Sequence, residues 1–160
     1  MQSDKIKECL EKSISTLFQT DMFLLEYDVQ EETICHRIAV YLEREIPEYH
    51  IDCEYNNDLD SPSGRKNVPY PGTNKENRFR PDIIVHKRGL NGRKNNKLII
   101  EVKKMTSDKK KIEEDKAKLR ACTTKESHLC YDIGALVIFG VKKDKGKYEI
   151  LWFKDGEHVR

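Results

Sequence analysis

At 160 residues the chain is long enough to bury a core and short enough to form one domain, and it holds no apolar run that would span a membrane. Its net charge of +2 hides an asymmetry: residues 1–60 carry 5 Lys/Arg against 15 Asp/Glu, whereas residues 61–160 carry 25 against 13. With no secretory leader and five scattered cysteines outside any CxxC pair, a disulfide scaffold is excluded, and the expected location is the cytoplasm.

Taken in chain order, the first element is an amphipathic helix. "DKIKECLEKSISTLFQ" spaces Ile6, Leu10, Ile14 and Leu17 at helical intervals, with Asp4 as its expected cap. A second helix is expected over residues 29–46, ended by Pro47. "YHIDCEYN" alternates as a strand, and residues 57–80 form a long polar loop of the kind that is usually functional in a compact domain. "DIIVH" and "KLIIEV" follow as β-branched strands. Gly89 and Gly92 lie between them, which predicts an antiparallel hairpin with a basic tip. "KKKIEEDKAKLRACT" reads as a helix with a thin apolar stripe of Ile112, Leu119 and Cys122. It serves as the crossover to "GALVIFGV", a central strand parallel to its predecessor, and "YEILWF" closes the sheet. The expected whole is a single domain over 1–160, with a helical extension at 1–28.

Chemistry concentrates at the edges of two of these strands. Glu101 and Lys103 are two residues apart on one strand, so they share a face, and Val102 points the other way into the core. Asp82, at the start of the hairpin partner, completes a compact cluster. Two carboxylates held close repel each other unless a cation sits between them, and hard oxygen ligands suit Mg2+ or Mn2+. A further carboxylate falls on the apolar stripe of the second helix. At about 100° per residue, Ile34, Ile38, Tyr41 and Leu42 define that stripe, and Glu31 lies on it whereas Glu32 does not. Two accounts of Glu31 stand open: a partner of the cluster, or the third helical position of a capping box begun by Asp28.

The "PD" of Pro81-Asp82 and the "EVK" of Glu101-Val102-Lys103, on adjacent strand ends, resemble the signature of the PD-(D/E)XK nuclease superfamily, which includes many restriction endonucleases and Holliday-junction resolvases. The resemblance covers roughly residues 29–153, and "EETICHRIAVYLE" is similar to the first helix of uncharacterised nuclease-like proteins, which favours Glu31 as a site residue. It implies an α/β, restriction endonuclease-like fold: a mixed central sheet flanked by helices, with core order α-β-β-β-α-β. It also implies a Mg2+-dependent (or Mn2+-dependent) hydrolase in which Asp82, Glu101, Lys103 and Glu31 are catalytic. The metal would be held by Asp82, Glu101, the Val102 carbonyl and Glu31.

The expected partner is DNA, with RNA as the alternative, and a homodimer suits an enzyme that must cut two strands. Residues 87–111 carry 10 basic side chains against 2 acidic ones. The expected backbone contacts are Lys87, Arg88, Arg93 and Lys94 at the hairpin tip, then Lys109, Lys110 and Lys111, all largely blind to sequence. Lys116 and Lys118 are further candidates, Glu54 is a weaker candidate for the cluster, and Lys104 is expected on the surface. The competing reading is a nuclease-like module that no longer cuts and instead binds nucleic acid or a protein partner. "CTTKESHLC" lacks a fourth ligand for zinc.

Overall fold

A computed structural model describes residues 2–56 and 80–160, together with the backbone of residues 67–68 and 77–78. The expected long loop therefore lies almost wholly outside the described residues. Helices α1 (Ser3–Thr20), α2 (Met22–Glu26) and α3 (Glu31–Glu45) come first, followed by strand β1 (His50–Cys53). A two-residue pair, β2 (Asn67–Val68) and β3 (Asn77–Arg78), stands apart from the main sheet. Then come β4 (Ile83–His86), β5 (Leu98–Lys104), α4 (Lys109–Thr123), β6 (Ile133–Phe139), β7 (Tyr148–Lys154) and β8 (Glu157–Val159).

Six strands form one mixed sheet in the order β1-β4-β5-β6-β7-β8. Only the β5–β6 pair is parallel, and α4 is the crossover that this pairing requires. Helices cover both faces. Alternate side chains of the central strands decide which face each residue serves. Val85, Leu98, Ile100, Val102, Ala135 and Val137 meet α1 and α3 in the larger core. Ile84, Ile99, Leu136 and Ile138 meet Leu119 and Cys122 of α4 in the smaller one. β6 is buried along its whole length, as its unbroken apolar run requires. At Gly134 a Cβ would come within 3.2 Å of Thr123, so glycine lets α4 lie close on the sheet.

Several expectations need correction. The N-cap of α1 is Gln2, and Asp4 sits inside the first turn without capping it. Helix α1 is no appendage: Ile6, Leu10, Ile14 and Leu17 are fully buried in the larger core. Helix α2 and strand β8 were not anticipated. β8 pairs antiparallel with β7 across Asp155-Gly156, whose φ angles of 52° and 81° both lie in the left-handed region.

Candidate functional site

The hairpin register builds the site. Ile83 pairs with Ile100, and continuing that register by one residue sets Asp82 opposite Glu101. Asp82 Oδ2 accepts a 2.7 Å hydrogen bond from the Val102 N–H, which fixes the carboxyl against the neighbouring strand. Glu101 and Lys103 pair with Leu136 and Ile138 of β6, residues of the α4 side, so both lie on that face while Val102 is buried in the opposite core. The position is the carboxyl end of β5, beside a parallel neighbour, where open α/β sheets leave a crevice.

Lys103 is the hub. Its Nζ lies 3.4 Å from Glu31 Oε2 and 3.1 Å from Asp115 Oδ2, and it donates at 2.8 Å to the Val102 carbonyl. Glu31 is held from the other side by Ser107 Oγ, which donates to Oε1 at 3.3 Å. The capping-box account of Glu31 fails. The N-cap is Gln30, Glu31 is the first helical residue, and Asp28 turns away with φ 53° to take Lys104 Nζ at 2.7 Å and Lys142 Nζ at 3.2 Å. Lys104 is accordingly not a free surface lysine; its side chain is only 14% exposed.

Asp115 was missed. Its side chain is 3% exposed, and besides Lys103 it takes Lys118 Nζ at 2.6 Å. The signal was present: Asp115 falls three residues after Ile112 and four before Leu119, on the apolar stripe of α4, the same placement that singled out Glu31.

Electrostatics here are strained. Burial pushes the Asp82 carboxyl up to about 6, with Asp115 and Glu31 adding to the rise, although the Val102 N–H and Lys103 pull it down. Burial likewise drives Glu101 well above the usual carboxylate range, and the charges of Asp82 and Asp115 push the same way. Glu101 Oε1 is buried with no hydrogen-bond partner among the described residues. Lys103 shows the converse: burial works against its charge, but Asp115, Asp82 and Glu31 outweigh it and hold the ammonium above its ordinary range. Asp82 and Glu101 thus cannot both ionise cheaply, even with Lys103 and Lys118 as counter-charges.

An orphaned buried oxygen beside a crowded carboxylate pair fits a hard divalent cation, and the donor set of Asp82, Glu101 and the Val102 carbonyl is all oxygen. Among the described residues no three acidic, imidazole or thiol side chains stand as a ready-made metal cluster. Any cation here would therefore complete its shell with a backbone carbonyl, water or substrate.

The basic residues divide into two groups. β4 runs away from Asp82 and β5 runs back towards Lys103, so the tip that joins them lies at the far end of the sheet, about 15 Å off at roughly 3.3 Å per residue. There Arg88 is committed to Asp52, with Nε to Oδ2 at 2.8 Å and a second bond between Nη2 and Oδ1. Arg93 is committed to Asp155 at 2.7 Å and to the Thr123 carbonyl. Lys87 lies over the Tyr49 ring, and Lys94 is exposed. Lys109, Lys110 and Lys111 are exposed at the start of α4, two residues beyond Ser107, and so stand beside the cluster. Lys116 is paired with Glu113, and Glu54 faces outward to Arg80 at 2.8 Å instead of joining the cluster.

Comparison with known proteins gives no relative to lean on: no family model, curated protein or solved structure matches the chain.

Proposed function

We propose that the protein is a metal-dependent nuclease of restriction endonuclease-like fold that hydrolyses phosphodiester bonds, with DNA as its substrate. The observation that carries this reading is the gathering, from α3, β5, α4 and the start of β4, of carboxylates around one half-buried, protonated lysine. Beside it lies a carboxylate oxygen that no group among the described residues satisfies. A cluster kept only for stability would neutralise its charges and leave no buried acceptor orphaned.

Asp82, Glu101 and the Val102 carbonyl would hold Mg2+ or Mn2+, with Glu31 at the rim. When bound, such an ion acidifies water and offsets charge on the scissile phosphate. The chain's own groups supply the rest. The Val102 N–H holds Asp82 in one orientation, so no reorganisation is needed as charge develops. Lys103 brings a compact cation that orients an attacking water and neutralises the phosphate oxygens in the transition state. Glu31 and Asp115 keep that ammonium charged and aimed. Lys109, Lys110 and Lys111, on the amino end of α4, grip backbone phosphates. Such contacts make affinity fall with salt and carry little sequence preference.

The test incubates purified protein with labelled linear, nicked, forked and single-stranded DNA, and with RNA, in Mn2+ or in EDTA. Cleavage is expected in Mn2+ alone and is lost in Asp82→Asn. Full cleavage by Asp82→Asn, or equal cleavage in EDTA, removes the proposal. Nucleic-acid binding without cleavage of any substrate transfers the site to the binding-module reading.

A further inference from the structure

The two most exposed large hydrophobic side chains among the described residues form a pair of rings. Phe23 is 60% exposed and Tyr27 is 65% exposed, and they stack at 4.2 Å between centroids with planes 29° apart. The Tyr27 N–H donates to the Phe23 carbonyl at 3.0 Å, which sets the two rings one helical turn apart on one face. Neither ring belongs to either core, so packing does not account for them.

Their location is specific. Tyr27 adjoins Asp28, whose carboxylate takes Lys104 and Lys142, and Tyr27 is four residues from Glu31, whose carboxylate meets Lys103. Four residues of chain reach about 14 Å at most. Met105 and Tyr148, also exposed, lie at the same end of the sheet, because Lys104 pairs with Phe139 and Phe139 with Tyr148. Only Leu90, among the exposed large hydrophobic side chains of the described residues, sits at the opposite end. The exposed rings and Lys103, Lys104 and Lys142 therefore share one end of the molecule, with those lysines paired to Asp28 and Glu31.

From this juxtaposition we infer that Phe23 and Tyr27 are a base-stacking platform, and that the adjoining site takes nucleic acid with unpaired bases: single strands, flaps or frayed ends. The inference rests on the nuclease reading and narrows its substrate class. A duplex presents phosphates outward and hides the faces of its bases, so it gives lysines a partner and leaves the rings none. An unpaired strand presents both, and stacking on a protein ring is indifferent to base identity. A second copy of the chain is the other occupant that exposed rings could take, but it would leave the exposed Lys109, Lys110 and Lys111 beside the cluster without a polyanion.

The experiment measures anisotropy of labelled oligothymidylate in EDTA, so that binding is read apart from cleavage. The comparison ligands are the same oligomer with abasic positions and a duplex of the same length. The intact protein is expected to bind the base-bearing single strand most tightly. Phe23→Ala and Tyr27→Ala should each weaken that binding about 5- to 150-fold, the range set by base–ring stacking, with abasic and duplex binding unchanged. Tyr27→Leu, which keeps bulk but removes the ring, should behave as Tyr27→Ala. Unchanged single-strand affinity in the ring variants, equal losses on the abasic oligomer, or no binding of any oligomer overturns the inference. So does a dimer on gel filtration that dissociates in Phe23→Ala, which would assign the rings to contacts between copies. Metal-dependent cleavage by the unaltered protein is scored separately, so losing the platform does not by itself remove the nuclease.

Discussion

Asp82 is expensive to keep ionised. Its carboxyl is raised by burial to about 6, against an ordinary value near 3.8, so the folded state holds a proton through a range where the unfolded chain has released it. Stability associated with this group is therefore greatest below about pH 4 and falls as pH rises through 6, by something like 2–3 kcal/mol. Asp82→Asn keeps an oxygen for the Val102 N–H and removes the charge. Chemical denaturation in EDTA at pH 7.5 should show the variant more stable than its parent, with the gain gone at pH 4. Mn2+ should raise the melting temperature of the parent at pH 7.5 and leave the variant unmoved. A variant less stable than its parent at pH 7.5 would mean that the charge is compensated after all. Asp115 shows why such residues are partly hidden from sequence inspection. A carboxylate on an apolar stripe can be read from periodicity, but its partner lysine on another element cannot.

At the scale of elements, α4 begins badly by its own standards. Asp108 caps it properly, accepting from the Lys110 N–H at 2.8 Å, yet the first turn then holds Lys109, Lys110 and Lys111 and no acidic residue. Cations at a helix amino end oppose the backbone dipole by about 0.3–1 kcal/mol each. A bound polyanion reverses that sign. Replacing all three lysines by glutamate should raise the melting temperature of the free protein while weakening DNA binding and flattening its salt dependence. Gel-shift titrations at two ionic strengths would read both effects, and unchanged affinity would move the phosphate contacts elsewhere. The tip residues Arg88 and Arg93 illustrate the opposite error. Their charge was legible, whereas their commitment to Asp52 and Asp155 depends on a strand and a turn 36 and 62 residues away in sequence. The Asp155-Gly156 turn, by contrast, was a local hairpin signal for β8 that the sequence reading passed over.

For the whole molecule, the mixed sheet flanked by helices and its parallel central pair were legible because each rests on local periodicity and on the length of a crossover, whereas α2, the β2–β3 pair and β8 were not. What periodicity could not give was which segments are indispensable. The N-terminal helix read as an extension, yet it closes the larger core. It is tied further by Ser3, which bonds Asp132 and accepts from Lys154. Four fully buried aliphatic side chains on α1, at about 1.5–3 kcal/mol each, rival the whole stability of a typical domain, about 5–15 kcal/mol. Removing residues 1–20 should therefore abolish cooperative unfolding as followed by circular dichroism, and a truncated chain that still melts cooperatively would restore the view of α1 as an accessory.

The rims of the sheet bear on how copies of the chain can meet. Among the described strands, the outermost are β1 with four residues and β8 with three, and β8 reads Glu-His-Val. Edges so short and polar give a neighbouring backbone few groups to zip onto. Association of this protein with itself must then be written in side chains, where a single substitution can undo it, and not in shared β-structure, where it could not.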